Sequence, residues 1–345
     1  MRFALHAAAA AALAFTLPAA HAASAATCAG FKSGTYVALN AMESDLSWRV
    51  NQLAFNADTL VLTDRDGDIP LTANAEHCSF TLPDGAPLVV SKKGLFLARP
   101  TDVRSYMVVG MPVQAAALKK MVGTWNFMRQ ETEAGVSSTY NGVATVNSKG
   151  TLSVSFCDAS GANCGTPATV GKLAEDPAGG YTLTAKNGKT ERFFLNTLAD
   201  GSKVAMGVSV DATLNALTVL APQTARTLPA VGDKWAHWEV QQLGDTSVPD
   251  MNSSTYKVLS VDAATNSFTR KRLENCRVET WTVNSGRTGL AQRPGGSFTD
   301  CTDGLKKKFP PNLSMSLRES FGIGASGWQP ATGTSFFGVN IVKSK

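Results

Sequence analysis

The chain reads as all-β, built as three consecutive small antiparallel β-barrel or β-sandwich domains with one short helix before the second. Three observations carry this reading. Short runs of strand formers alternate with Gly, Asn, Asp and Pro turn signals along the whole length. A glycine followed within three residues by a large aromatic recurs at Gly34-Thr35-Tyr36, Gly123-Thr124-Trp125 and Gly232-Asp233-Lys234-Trp235. The six cysteines fall as one pair in each of the three segments that these glycines mark, the first beginning at about Cys28. The expected organisation is a leader over 1–22, β domains over 23–112 and 113–220, a linker over 221–230, and a third β domain over 231–345.

The leader rests on Met1-Arg2, an apolar run from Ala4 to Leu17, the breaker Pro18, and Ala20-His21-Ala22 as a small-x-small cleavage site. This is a secretory signal pattern, cut after Ala22, and it predicts a periplasmic or secreted protein. The apolar run is shorter than the ~20 residues a membrane-spanning helix needs, and no later stretch of that length lacks charge. A lipid anchor on Cys28 is disfavoured, because Ala25-Ala26-Thr27 suits it poorly and it would leave an odd number of thiols.

In an oxidising compartment three disulfides are expected, Cys28 with Cys78, Cys157 with Cys164, and Cys276 with Cys301. No Cys-x-x-Cys occurs and neither histidine beyond the leader, His77 or His237, has ligand spacing, so no metal is expected. The formal net charge is +5 over 345 residues, rising from −2 over 23–112 through +2 over 113–228 to +4 over 229–345. Such modest values suit a solvated surface and argue against a nucleic-acid partner.

In the first segment Thr59 to Thr63 and Ile69 to Thr72 flank Asp64-Arg65-Asp66-Gly67-Asp68, a hairpin with glycine supplying a positive φ. A calcium loop fails on position, since Ile69 and Ala75 stand where Gly and Glu are required. Pro83-Asp84-Gly85 and Lys93-Gly94 lead into the further strands Leu88 to Val90 and Leu95 to Leu97. Gln114 to Val122, rich in Ala, Leu and Lys and followed by Gly123, reads as a short helix.

The second segment continues with strands at Trp125 to Arg129, Ser138 to Val146 and Thr151 to Phe156, the last strictly alternating. Asn147-Ser148-Lys149-Gly150 is a hairpin tip. Gly123-Thr124-Trp125 after a short helix, followed by that hairpin, resembles the opening of bacterial lipocalin-like β-barrel domains over residues 121–156. The resemblance implies an up-and-down barrel with Trp125 and Phe127 at its closed end and an interior for a small apolar ligand. It also implies a basic residue packed on the tryptophan, for which Arg192 is a candidate.

Strands resume at Tyr181 to Ala185, Glu191 to Leu195, Val204 to Val210 and Leu217 to Leu220. Ala221 to Ala230, with two prolines, reads as the linker. In the third segment Tyr256 to Val261, Ser267 to Arg272, Arg277 to Val283 and Phe336 to Val342 are strand candidates. Arg270, Lys271, Arg272, Arg277, Lys306, Lys307 and Lys308 offer an anion-binding surface, or else edge-strand cations that discourage aggregation.

Catalytic signatures are missing. The two histidines lie in different segments, and no Gly-x-Ser-x-Gly, Walker, Rossmann or His-Glu-x-x-His pattern occurs, so no catalytic residue and no cofactor is expected. Spanning strands of ~10 alternating residues are too few for an outer-membrane barrel. The expectation is a monomeric, exported, non-enzymatic protein that binds a small apolar ligand or an envelope partner. A hydrolase using carboxylates in an interdomain cleft and a structural or adhesive module stand as alternatives.

Overall fold

The computed structural model describes residues 28–99, 107–115, 117–198, 201–243, 250–317, 321–326 and 336–343. The leader and its cleavage site lie outside them. The architecture is all-β, in three sheet systems that follow one another along the chain.

The first system has nine antiparallel strands: β1 (Gly34–Asn40), β2 (Val50–Asn56), β3 (Val61–Asp64), β4 (Gly67–Pro70), β5 (Thr72–Ala73), β6 (Ser79–Thr81), β7 (Pro87–Val90), β8 (Phe96–Ala98) and β9 (Val108–Pro112). Their order is β4-β3-β2-β1-β9-β8-β7-β6-β5. The two edge strands are separated in sequence by Leu71 alone, so the sheet has to roll until its edges meet. Period-two alternation gives β1, β7, β8 and β9 two buried faces, while β2 and β3 alternate between buried and exposed positions. Tyr36, Phe55, Phe80 and Phe96 turn into the roll, where Phe31 stacks on Phe55 at 3.7 Å and Cys28–Cys78 is bridged. Val37, Leu39, Val89, Leu97, Val109 and Met111 turn outward and are equally buried.

Among the described residues of 114–122, expected to form a helix before the second segment, none lies in an α-helix. Only Leu118–Lys120 turns, as a 3-10 helix entered from an extended Ala117 (φ −64°, ψ 150°). Gln114 shows why: its side chain accepts from Thr197 N (2.8 Å) and donates to Thr197 O (3.1 Å), which anchors this stretch against a neighbouring strand. A nine-residue helix is too marginal in isolation to compete with such anchoring.

The middle system is a closed barrel of eight strands in sequential order: β10 (Gly123–Glu133), β11 (Val136–Val146), β12 (Thr151–Phe156), β13 (Ala168–Glu175), β14 (Tyr181–Ala185), β15 (Thr190–Thr197), β16 (Lys203–Ser209) and β17 (Leu214–Pro222). Cys157–Cys164 staples the connection after β12.

The C-terminal system is a second closed barrel, of β18 (Lys234–Leu243), β19 (Asp250–Asp262), β20 (Ser267–Arg272), β21 (Val278–Val283) and β22 (Leu290–Arg293), completed by three later strands. A hairpin of β23 (Gly296–Thr299) and β24 (Lys306–Phe309) is set outside the barrel before β25 (Asn312–Leu317), β26 (Phe321–Ser326) and β27 (Phe336–Val342) close it. Cys276–Cys301 ties that hairpin's turn to the β20–β21 turn.

The three systems share one apolar cluster. It joins Val37, Leu39 and Met111 of the first sheet, Met128, Phe194 and Met206 of the middle barrel, and Leu290, Met315 and Ile341 of the last. The segment expected as a linker is docked against the C-terminal barrel: Arg226 N donates to Asn284 Oδ1 (2.9 Å), and Asn284 Nδ2 returns a bond to Arg226 O (2.9 Å).

Candidate functional site

Each barrel has an apolar end and a charged end, and period-two alternation explains how. On β10 the inward row is Trp125, Phe127, Arg129, Glu131 and Glu133, so five positions along one strand pass from aromatic to ionised. Trp125 is 2% exposed and its indole N–H donates to Met121 O at 2.9 Å, fixing the closed end. The 3-10 turn lies beneath it, held by Leu118 N to Glu175 Oε1 (2.6 Å). Tyr181 packs there too, its hydroxyl donating to Ala117 O (3.3 Å). Burial, with Glu175 nearby, pushes the Tyr181 phenol up to about 12.

Above this floor the middle barrel encloses a cavity of about 310 Å³, lined by Phe127, Leu152, Val154, Leu173, Leu183, Phe193 and Leu220. Its polar lining collects at the opposite end. There Arg129 donates to Glu131 Oε2 (Nε, 2.7 Å), Glu191 Oε2 (Nη1, 3.0 Å) and Thr218 Oγ1 (2.6 Å), while Lys189 pairs with Glu133. Burial works against the Arg129 charge, but Glu191 and Glu131 outweigh it and raise its pKa. The rim thus carries three carboxylates against two cations. Phe156, 52% exposed, lines the cavity beside Phe127 at 5.7 Å, with Tyr140 at 5.4 Å.

Trp125 is buried above the 3-10 turn and Phe127 lines the cavity, while Arg192 follows the inward Glu191, so alternation turns it to the outer wall. There it donates to Gly179 O (2.8 Å) and pairs with Asp176 (3.3 Å).

In the C-terminal barrel the apolar end gathers Val258, Phe268, Trp281, Val283 and Ala291, with Trp235 against them. The other end is rich in arginine. Glu279, with its side chain fully buried, accepts from Arg270 Nε (2.6 Å), Arg293 Nη1 (2.6 Å) and Trp281 Nε1 (3.0 Å). Arg277 Nε lies 3.1 Å from the same carboxylate. Burial pushes Glu279 upward, but Arg270, Arg277 and Arg293 together hold it far below the usual carboxylate range. Arg270 also lies over Tyr256 (3.7 Å) and Trp281 (4.9 Å), and Arg293 over Phe309 (4.6 Å). Nearby His237 is 6% exposed; burial and then Arg270 and Arg272 lower its pKa to about 3. Burial raises Glu239, against the pull of Arg272, Arg277 and Arg270.

The seven cations expected as one surface are therefore split, with Arg277 set against the buried Glu279 at 3.1 Å. Arg270 and Arg272 point into the barrel, while Lys271 between them takes the outer face. Lys306, Lys307 and Lys308 sit on the external hairpin, where Lys307 is tied to Asp300 and Asp303, both at 2.7 Å. Sequence reasoning passed over Arg129, Glu131, Glu191, Glu279 and Arg293. The row from Trp125 to Glu133, read at a period of two, was the available signal for the first of these.

No family model matches the chain, and no curated protein matches it. Among solved structures, the Transferrin Binding Protein B double mutant from Haemophilus parasuis Hp5 is similar over 85% of this chain at 10% identity and a TM-score of 0.29. The chain spans 65% of that protein's length. The isotype 1 Transferrin binding protein B of serogroup B Neisseria meningitidis is similar over 91% of this chain and 77% of its own, at 9% identity and a TM-score of 0.29. A DUF3598-family protein of unknown function from Nostoc punctiforme is similar over 66% of this chain and 97% of its own, at 12% identity and a TM-score of 0.25.

Proposed function

We propose that this is an exported, non-enzymatic binding protein whose middle barrel receives a small amphiphile, tail first. The observation that carries this reading is the cavity of about 310 Å³ with an apolar floor and all its charge at one end. Its size falls at the lower end of the range of small-molecule sites, which are mostly apolar with a few placed polar groups. A tail buried against Leu152, Leu183, Phe193 and Leu220 gains the hydrophobic term, about 25 cal/mol per Å² removed from water.

The rim selects the head. Arg129 is already bonded to two carboxylates and Lys189 to a third, so a ligand carboxylate would meet acidic excess rather than a free cation. A neutral or cationic head suits this rim better. Those carboxylates are tied into ion pairs, which fits a passive rim rather than acid–base work. Three disulfides support export, since such bonds persist in oxidising compartments.

Decanol, decylamine and decanoate, titrated into the oxidised protein with tryptophan fluorescence as readout, test the reading. Decanol and decylamine are expected to bind at least tenfold tighter than decanoate. Val154→Trp, which fills the cavity from its partly exposed wall, is expected to abolish binding with little change in melting temperature. Equal binding of all three probes to Val154→Trp and the parent would sink the assignment.

A further inference from the structure

The middle barrel's charged end is balanced by its own ion pairs, and the C-terminal barrel's is not. Arg270, Arg272, Arg277 and Arg293 face Glu239, Glu274 and Glu279 there, and Glu274, which also accepts from Thr255 N (2.6 Å), meets Arg272 at 3.5 Å. Among the described residues this leaves an excess of guanidinium charge inside a barrel. Arg226 shows the excess from the other side, since burial and then Arg270 lower its pKa to about 10.

Several donors in this place are also poorly served. The Nε–H of Arg293 and the hydroxyl of Ser254 are buried without a hydrogen-bond partner, and the Nε–H groups of Arg272 and Arg277 make no hydrogen bond although each faces a carboxylate, Glu274 at 3.5 Å and Glu279 at 3.1 Å. Arg293 is 5% exposed and Ser254 is fully buried, so these are not surface groups that solvent serves freely. Arg293 spends Nη1 on Glu279 Oε2 and Nη2 on Pro310 O, both 2.6 Å, which locks its plane. Arg277 is likewise oriented by Tyr256 Oη (3.1 Å), and its guanidinium is 5.6 Å from the Phe309 ring centroid. Rigid, desolvated, planar donors of this kind suit oxyanions, which accept bonds from guanidinium forks in two directions at once.

Access is restricted but not closed. The Arg272 and Arg277 side chains remain 20% and 18% exposed, respectively, at the end where the β23–β24 hairpin carries Phe309 across the cluster. The bridge Cys276–Cys301 pins that hairpin at its turn.

We propose that the arginine-lined end of the C-terminal barrel binds an oxyanion, the phosphate, sulfate or carboxylate group of a small soluble ligand, at Arg272, Arg277 and Arg293 beneath the β23–β24 strap. This site lies in a different barrel from the amphiphile cavity and does not depend on it. Glu279 orients the guanidiniums, and the incoming anion meets the charge that Glu279 leaves unmatched.

The test uses the oxidised protein with inorganic phosphate, sulfate and acetate, each against chloride at matched ionic strength. Melting temperature and tryptophan fluorescence are read, Trp281 being bonded to Glu279. At least one oxyanion is expected to give a saturable fluorescence change and a melting temperature several degrees above the chloride reference. Arg277→Gln is expected to weaken that binding at least tenfold, as is Arg272→Gln at the more exposed edge, where folding is less at risk. Lys257→Gln, an exposed charge on the outer wall, is expected to leave it unchanged. Identical responses to chloride and the oxyanions would overturn the proposal, as would unaltered titrations in both arginine variants. Retention on phosphatidylglycerol vesicles without any response to soluble oxyanions would overturn it too.

Discussion

Arg49 illustrates how much of this molecule is decided by single buried cations. It leaves the first sheet to meet the turn between β16 and β17, where its guanidinium donates to Ser209 O (3.1 Å), Asp211 O (2.9 Å) and Leu214 O (2.7 Å) as well as to Asn215. Arg287 does the same from the C-terminal barrel, donating to Asn126 Oδ1 (3.0 Å), Gly161 O (2.5 Å) and Gly142 O (3.1 Å). Each cation is met by carbonyls rather than carboxylates, and burial lowers the Arg287 pKa to about 10. Arg49→Met would leave several buried carbonyls unpaired, so a loss of about 4 kcal/mol in urea unfolding is expected. His237 sets a pH dependence. Its folded pKa of about 3 lies below the ordinary 6.5, so the unfolded chain binds more protons between these values. The stability it contributes is complete above pH 6.5 and is lost as pH falls toward 3, by up to about 1.4 kcal/mol per unit. Glu239, raised in the fold, works in the opposite sense from 4.5 upward. Between pH 4.5 and 6.5 His237→Gln is therefore expected to flatten the acid limb of the melting profile relative to the parent.

Strand pairs repeat one device, a phenylalanine laid across a glycine directly opposite it. Phe96 faces Gly110, Phe127 faces Gly142, and Phe193 faces Gly207. A Cβ on Gly207 would sit 2.5 Å from the Phe193 ring, and one on Gly142 2.5 Å from that of Phe127. The glycines give these inward rings room to lie along the wall, which shapes the floor of the middle cavity. Gly207→Ala is expected to cost about 1–3 kcal/mol, as overpacking does, and to alter probe binding by displacing Phe193. Staples act at the same scale. Their loops span 50, 7 and 25 residues of sequence separation. The chain-entropy model then assigns about 4 kcal/mol to Cys28–Cys78, about 2 to Cys157–Cys164 and about 3.5 to Cys276–Cys301. Paired Cys→Ser variants, compared by urea midpoints, are expected to lose most at Cys28–Cys78, less at Cys276–Cys301 and least at Cys157–Cys164.

At the scale of the molecule, the outward faces of all three sheet systems are spent on one another. Met128, Phe194, Met206 and Val219 on the middle barrel's outer wall are buried only because Val37, Leu39 and Ile341 cover them. Unfolding one system would expose the apolar faces of its neighbours, so calorimetry is expected to show one cooperative transition with matching van't Hoff and calorimetric enthalpies. The middle barrel produced alone, over 113–230, is expected to self-associate, since it would present a contiguous apolar patch. Two well-separated transitions and a monomeric isolated barrel would contradict this account.

Residue order was enough for the all-β class, because alternation and turn residues are local signals. It also placed the three staples, because each cysteine pair lies within one run of strands. The inward row from Trp125 to Glu133 was equally present in the residue order, needing only a period of two to be read. What the tertiary structure alone decided was which faces meet. Arg192 and Lys271 fall outside their barrels, Arg270, Arg272 and Arg293 converge inside one, and Gln114 trades a helix for a bond to Thr197. A strand has two faces, and local pattern does not say what lies against the second. Closure of the barrels and their burial against one another settle that, through contacts between residues far apart in the chain.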